Sequence, residues 1–358
     1  MGACAGGVTN IPLVAQLLAG GVPQANITTF LTSSNVTGDL DLNAAGTFAE
    51  RLENRIPGFT AQTLLPLKLR PNQQFSAITY IDNLGDSNYN AFQFTLRRRF
   101  ASGLGLNMAY TWGKSIDNQS VDPIGAASGG GLSTTNSRTP TDGFNFRDER
   151  GRSDFDRTHL FTTAAVYELP FGKGRKFLSN AGWADRIVNG WNLNGIFTTF
   201  SGEPFSVRSG VRTANAAHES RAALREDVRA ALQPSLTTSV VGPVYFQNTN
   251  AFAIPEPGQS GAGRNIFVAK GYYNLDIGVT KFIPLFETVK LQFRAEFFNV
   301  LNHPNFDNPR DATVGSPSFR SSVFAQAGNA TVGPPSTQTI IQTGESGRVI
   351  QFALKLQF

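Results

Sequence analysis

The stretch that decides the fold is LGLNMAYTW, residues 104–112. Apolar or aromatic side chains stand at every second position, and small or polar residues stand between them. A β-strand places alternate side chains on opposite faces, so one face of this strand is apolar and the other suits water. The segment is close to the length of about 9 to 11 residues with which a tilted strand crosses a bilayer.

The same period-two pattern recurs along the chain. It predicts strands over 92–100, 161–169, 191–199, 273–280, 289–297 and 350–358, and a weaker one over Phe75–Asp82. Short hairpin turns are expected at Ala101–Gly103 and Pro284–Glu287, whereas the links over 117–157, 202–270 and 302–344 are long and rich in Gly, Ser, Thr, Asn and Pro. Alternation alone also fits a soluble β-sandwich. Short turns that alternate with long loops favour a membrane barrel.

We therefore expect an all-β fold, an antiparallel transmembrane β-barrel, of which the chain holds about eight strands. Composition agrees, since only 16% of the residues are charged against about 25% in an average soluble domain. Apolar stretches of about 18 residues, which a transmembrane helix requires, are absent. The net charge is +5, but the basic residues are spread along strands and turns, so no nucleic-acid binding is expected.

The sequence offers little chemistry for catalysis or for cofactors. Cys4 is the single cysteine, and His159, His218 and His303 are far apart, so neither a disulfide nor a metal motif is predicted. The alternate carboxylates Asp154 and Asp156 suit a hard cation. The glycine and the terminal glutamate of a calcium-binding loop are missing. The better interpretation of these two carboxylates is therefore a turn that is solvated or paired with Arg157. We expect no enzyme activity, no cofactor and no metal.

A set of motifs gives the chain a family resemblance. They are NYNAFQ at Asn88–Gln93, MAYTWGKS at Met108–Ser115, DFDRTH at Asp154–His159, LPFGKG at Leu169–Gly174, GWNLNG at Gly190–Gly195, FNVLNHP at Phe298–Pro304 and the aromatic Phe358. Together they resemble the barrel of Oar-like TonB-dependent receptors. The resemblance implies an outer-membrane barrel of about 22 strands, closed by an N-terminal plug, that imports a scarce ligand with energy passed through TonB.

The chain departs from that plan, because it has about eight candidate strands and no recognisable plug, TonB-contact segment or signal peptide. We expect a fragment. Residues 63–358 are assigned to the C-terminal part of the barrel, and residues 1–62, which are weakly periodic, to an upstream remnant of a loop and a strand.

Arg97, Arg294 and Glu296 are predicted to face inward and line the lumen, where a small molecule, sugar or peptide would bind. A structural or adhesion barrel without active transport is the alternative.

The final strand and one link carry further predictions. Phe352, Leu354, Leu356 and Phe358 resemble the signal that the barrel assembly machinery reads. With the C-terminus on the periplasmic side, the three long links lie outside and both short turns lie inside. The link Pro170–Asn189 then lies on the periplasmic side, and its basic residues suit either a phosphate or lipid contact or a solvated turn. The expected partners are outer-membrane lipid and the barrel assembly machinery. TonB is expected as a partner only through an N-terminal plug.

Overall fold

The computed structural model describes residues 12–54, 82–120, 140–180, 182–214, 219–232, 235–236, 243–246, 248–286, 289–306, 330–331 and 347–358. Seven long strands in these residues form one sheet. They are β1 Ser87–Ala101, β2 Leu104–Asp117, β3 His159–Glu168, β4 Trp191–Phe200, β5 Tyr272–Pro284, β6 Lys290–Phe298 and β7 Val349–Gln357. Neighbours in the chain pair antiparallel throughout. All seven predicted strands are confirmed, while the weaker one over Phe75–Asp82 lies outside the described residues except for Asp82.

The sheet is open along both edges. Within the described ranges, β1 pairs only with β2, and β7 only with β6. The backbone donors and acceptors on the outer edges of these two strands are therefore available to further strands. An all-β antiparallel fold is confirmed, and within the described residues the sheet is not closed into a barrel.

A two-residue turn fixes the pairing of the first hairpin. Ser102 and Gly103 have φ angles of 53° and 81°, and positive φ at both central residues is the geometry of a type I′ turn, whose twist matches that of the strands it joins. β5 and β6 are joined after Pro284 at the same end of the sheet. We call this the turn end. The opposite end, where β2, β4 and β6 finish, is the loop end.

The register keeps the predicted faces in line across all seven strands, except at the end of β1, where a β-bulge between Arg98 and Ala101 shifts the pairing. Met108 on β2 pairs with Leu96 on β1 and with Thr163 on β3, and the same face continues as far as Leu354 on β7. We call it the apolar face. Asparagine, glutamine, threonine and charged side chains occupy most of the other one, the polar face. A shift of one residue in any pairing would have exchanged the two faces.

The long link between β4 and β5 folds on itself, although the sequence predicted only an irregular loop. Five aromatic side chains form its core, with ring centroids 4.9 to 6.0 Å apart in the closest pairs: Phe205, Tyr245, Phe246, Phe252 and Phe267. Pairs of two-residue strands bracket it, Pro204–Phe205 with Phe267–Val268 and Ala223–Leu224 with Phe252–Ala253. We call the described residues of 202–270, together with residues 140–157, the loop region.

Residues 12–54 form four short helices, α1 Pro12–Ala19, α2 Gln24–Leu31, α3 Ser34–Asp41 and α4 Ala45–Asn54. The expected upstream strand is therefore wrong for this segment. Apolar residues spaced three apart, Val14 with Leu17 and Ile27 with Phe30, are buried together in a small core. Gly21, at φ +91°, ends α1, since a left-handed residue lets the last carbonyls accept the following N–H groups. The α3–α4 part contacts the loop region through a 2.9 Å ion pair between Glu50 and Arg212.

The remaining elements are short. They are the helical turns Phe146–Glu149, Gly182–Ala184, Asp185–Val188, Val228–Ala231 and Thr249–Ala251, the strand Gly151–Arg152 beside β2, and the strand pairs Ser235–Leu236 with Pro243–Val244 and Asn305–Phe306 with Ala330–Thr331. None of the described helices is long and apolar enough to cross a membrane.

Candidate functional site

The polar face carries Arg97, Arg294 and Glu296, the three residues predicted to line a lumen. Strand register places all three on this face. Five strand-to-strand steps separate β1 from β6, which is about 24 Å along the sheet at roughly 4.8 Å a step. The structure therefore puts the residues on one surface, with Arg97 distant from the other two. Their role in ligand binding stays a prediction.

Arg294 and Glu296 form the charged centre of this surface. The Arg294 guanidinium donates a hydrogen bond to Glu296 Oε1, and the two side chains are 45% and 22% exposed. An exposed pair of this kind adds at most about 1 kcal/mol of stability. Gly278 lies opposite Glu296, and its missing side chain leaves room for the Asn194 amide, which a Cβ would approach to 2.5 Å. The arrangement offers donors and acceptors to a polar ligand in water.

The loop end of the sheet carries a second cluster of charges, which is largely buried except for the partly exposed Asp154. Arg264 of the loop region pairs with Asp117 at the end of β2 and with Asp154, at 3.2 Å from Nη1 to Oδ1. Asn265 donates from Nδ2 to the same Asp154 oxygen at 2.6 Å. Buried charges of opposite sign in such contacts hold their partners in place, because separating them leaves a charge without solvent.

Asp156 is likewise engaged by protein groups. It accepts a 2.7 Å hydrogen bond from the Ser115 N–H and forms a 2.7 Å ion pair with Arg152. The carboxylates at 154 and 156 thus face arginine and amide donors. The prediction that these carboxylates pair with arginine is confirmed, but the predicted partner is wrong. Arg157 pairs instead with Glu203 across the loop region. In the described part of the chain, no group of three or more His, Cys, Asp or Glu side chains is arranged to hold a metal ion.

Arg221 is the most buried cation of the loop region, with its side chain 1% exposed. Its guanidinium contacts Glu149 at 2.8 Å, Asp148 at 2.6 Å and Thr141 Oγ1 at 3.0 Å. Burial opposes ionisation of Glu149, but the Arg221 charge and hydrogen bonds from Arg221 and Thr141 outweigh it and lower the pKa of Glu149 below 4.5. Burial, and then the neighbouring Arg221 charge, lowers the pKa of Arg208 to about 10.

The sequence reasoning missed this network. One signal was present, since residues 146–157 read FRDERGRSDFDR and contain four arginines and four carboxylates. A balanced cluster in a chain so poor in charge indicates paired ions. The partners Arg221 and Arg264 are 72 and 147 residues away from Glu149 and Asp117, and nothing in the local pattern identifies them.

An open cavity of about 800 Å³ lies between the helical segment and the loop region. Polar side chains from both parts line it, namely Asp41, Asn43, Arg225, Asn250 and Glu256. Asn43 also donates to the Pro255 carbonyl at its rim, with an Nδ2–O distance of 3.4 Å. The cavity is large enough for a small polar ligand.

Two of the three histidines lie beside tyrosines. His159 Nδ1 is 2.9 Å from Tyr110 Oη on the apolar face. His303 follows β6 in a turn, as the sequence predicted, and its ring stacks on Tyr273 with centroids 3.7 Å apart. Partial burial and then the Lys270 charge lower the pKa of His303 below 6.5. The third, His218, lies outside the described residues.

The chain matches a family model described as an outer membrane beta barrel domain, over residues 32–351. The chain belongs to this family of outer-membrane barrels. Neither the curated proteins nor the solved structures that were searched include a match. The family places this barrel in the outer membrane, and it gives the two faces and two ends of the sheet their physical meaning.

In an outer-membrane barrel the outward face meets lipid, and short turns lie on the periplasmic side. The apolar face of this barrel therefore faces lipid, and the turn end is periplasmic. The loop region and its buried ion network lie on the outer side. Phe200 and Tyr272, stacked with centroids 4.6 Å apart, lie where the sheet joins that region.

The four residues predicted as an assembly signal lie on or just beyond β7. Phe352, Leu354 and Leu356 are on the lipid-facing side, 67%, 70% and 44% exposed, and Phe358 is 92% exposed. β7 is an edge strand among the described elements. An edge strand with exposed apolar side chains is suited to pairing with a strand of another protein. The role of these residues in assembly stays a prediction.

Proposed function

We propose that this barrel is part of a TonB-dependent receptor that takes up a scarce ligand. The observation that carries the proposal is the polar face, which continues across all seven strands while the opposite side faces lipid. Such a surface suits a water-filled lumen through which a polar molecule passes. The motifs shared with Oar-like receptors support the same interpretation.

In this proposal, ligand is first held at the outer side and then moves along the polar face. The cavity between the helical segment and the loop region supplies polar side chains for the first step. Arg97, Arg294 and Glu296 supply charged contacts for the second. The ligand class is a small molecule, sugar or peptide with hydrogen-bonding groups, and no chemical reaction or cofactor is involved.

The partners follow from the same proposal. TonB acts through a plug domain, so the proposal requires that the complete protein, here called the full-length parent, contains one. The barrel assembly machinery recognises the β7 strand through Phe352, Leu354, Leu356 and Phe358. Outer-membrane lipid surrounds the apolar face.

The test is binding of the purified periplasmic domain of TonB to the full-length parent in detergent. We expect that domain to be retained by the parent and lost when the upstream plug is deleted, with the barrel still folded by its heat-modifiable mobility on a gel. Absence of retention by the folded parent would contradict energised uptake. Loss of cell adhesion in a strain that lacks the parent would then favour the adhesion barrel.

A further inference from the structure

The periplasmic link between β3 and β4, residues 169–190, is much longer than the two-residue turn between β1 and β2. Loops of this length inside a compact fold are commonly functional. The described residues of the link also make hydrogen bonds with one another. The Gly172 N–H donates to the Phe177 carbonyl at 2.9 Å, and Asp185 accepts from the Lys173 N–H. Transport as proposed above does not use this segment.

The link lies against the lipid-facing side of the barrel. Lys281 on β5 donates from Nζ to the carbonyls of Ile187 and Asn189 at 2.6 and 2.9 Å. Trp191 on β4 donates from Nε1 to the same Ile187 carbonyl at 2.7 Å. Lys281 and Trp191 are paired with each other on the apolar face. Two outward-facing side chains therefore hold the end of the link at the periplasmic boundary of the membrane.

Apolar side chains of the link are exposed in this position. Leu178, Trp183 and Ile187 are 56%, 82% and 58% exposed. Clustered apolar side chains on a surface mark a contact with another apolar phase, and tryptophan is enriched at the depth of lipid headgroups. The placement of the link at the membrane boundary makes the bilayer surface the phase that these side chains meet.

The same segment carries unneutralised positive charge. Lys173, Lys176 and Arg186 are exposed and, within the described part of the chain, are in none of the ion pairs. Arg175 differs, since it pairs with Glu168 at 2.9 Å. The carboxylate of Asp185 is occupied by the Lys173 N–H and the Asn189 amide. Three cations beside exposed apolar groups complement an anionic membrane surface.

We propose that the link is an interfacial anchor that binds anionic phospholipid headgroups of the periplasmic leaflet. Lys173, Lys176 and Arg186 contact the phosphates, and Trp183 and Ile187 insert between the headgroups. Lys281 and Trp191 position the link for this contact. The proposal is independent of transport, because it concerns the outer wall of the barrel.

The first test uses the full-length parent reconstituted in vesicles of phosphatidylcholine and phosphatidylglycerol, then extracted in mild detergent. The lipid that remains bound is counted by native mass spectrometry. The variant Lys173→Gln/Lys176→Gln/Arg186→Gln is expected to retain several-fold less phosphatidylglycerol and unchanged phosphatidylcholine. The matched control, Arg147→Gln/Arg229→Gln/Lys270→Gln, removes three exposed cations from the loop region and should retain the normal amount. Equal retention by the link variant and the parent would overturn the proposal.

The second test measures depth and does not depend on charge. Tryptophan fluorescence of the parent and of Trp183→Phe is compared in vesicles that contain phosphatidylcholine brominated near its carbonyls. We expect a large part of the quenching to disappear with Trp183. If Trp183 is instead quenched by acrylamide in the aqueous phase and not by brominated lipid, the link is solvated and the proposal fails. Heat-modifiable mobility confirms that each variant is folded.

Discussion

The membrane-spanning sheet and the loop region place charge in opposite ways. In the sheet, Arg294 and Glu296 are partly exposed on a surface that faces water, and the pattern that puts them there has a period of two residues. In the loop region, Arg221 and Glu149 are buried, and 72 residues separate them in the chain. Charge in the sheet is therefore set by local sequence, while charge in the loop region is set by tertiary folding. A substitution that unfolds one of the two regions should therefore leave the other folded.

The largest expected effect is the loss of Arg221. Replacement by methionine leaves Glu149 buried without its partner, and breaking a buried pair in this way costs about 3 to 5 kcal/mol. We expect Arg221→Met to open the loop region while the sheet still assembles. Protease cleavage of the loop region in the folded parent, followed over time, measures this opening.

A second variant separates charge from packing. Arg221→Met/Glu149→Gln removes both buried charges, so it should recover part of the protection that the single variant loses. The sheet is monitored by heat-modifiable mobility. If Arg221→Met also abolishes that mobility shift, the two regions fold as one unit and the comparison between them is wrong.

The next effect concerns the sheet alone. Met108 faces lipid between Leu96 and Thr163, and a charge at the bilayer midplane costs a strand about 2 to 4 kcal/mol. We expect Met108→Arg to lower the yield of heat-modifiable barrel strongly, with Asn107→Arg on the polar face as the matched control. An equal loss of barrel yield for the two arginine variants would refute the assignment of Met108 to the lipid-facing side. A change in protease cleavage of the loop region would refute the independence of the two regions.

The same contrast explains how far the sequence could predict the structure. The stretch over 104–112 fixes its own strand and faces, because alternation is a property of neighbouring residues. Phe246 and Phe252 have no such pattern, and their contacts with Phe205 and Phe267 appear only when the link folds. The helices over 12–54 were missed because each is short, with only two or three buried apolar positions. The register placed Arg97 on the expected surface, but its distance from Arg294 depends on strand order.

A smaller effect on the stability of the loop region should follow when the pH is lowered. Because the pKa of Glu149 is lower in the folded loop region than its ordinary value of 4.5, the unfolded segment takes up the proton first as pH falls. This contribution to stability is therefore complete above pH 4.5 and is lost as pH falls through the folded pKa. Cleavage of the loop region by an acid-active protease should accelerate below pH 4.5. The acceleration should be weaker in Glu149→Gln, and an unchanged profile in that variant would contradict the assignment.

The smallest expected effect on stability is at Phe358, which is 92% exposed just beyond β7. As an interfacial anchor, its burial in lipid would contribute about 1.5 to 3 kcal/mol, and Phe358→Ala would lower the unfolding midpoint of a barrel that forms in normal amounts. As part of a signal read through edge-strand pairing, the same change would leave the midpoint nearly constant and reduce the assembled amount several-fold. We expect the second outcome. Gln357→Ala, on the polar face of β7, is the matched control and should assemble normally. Yield and midpoint measured on the full-length parent distinguish the two, because a signal acts before the barrel is formed and an anchor acts after.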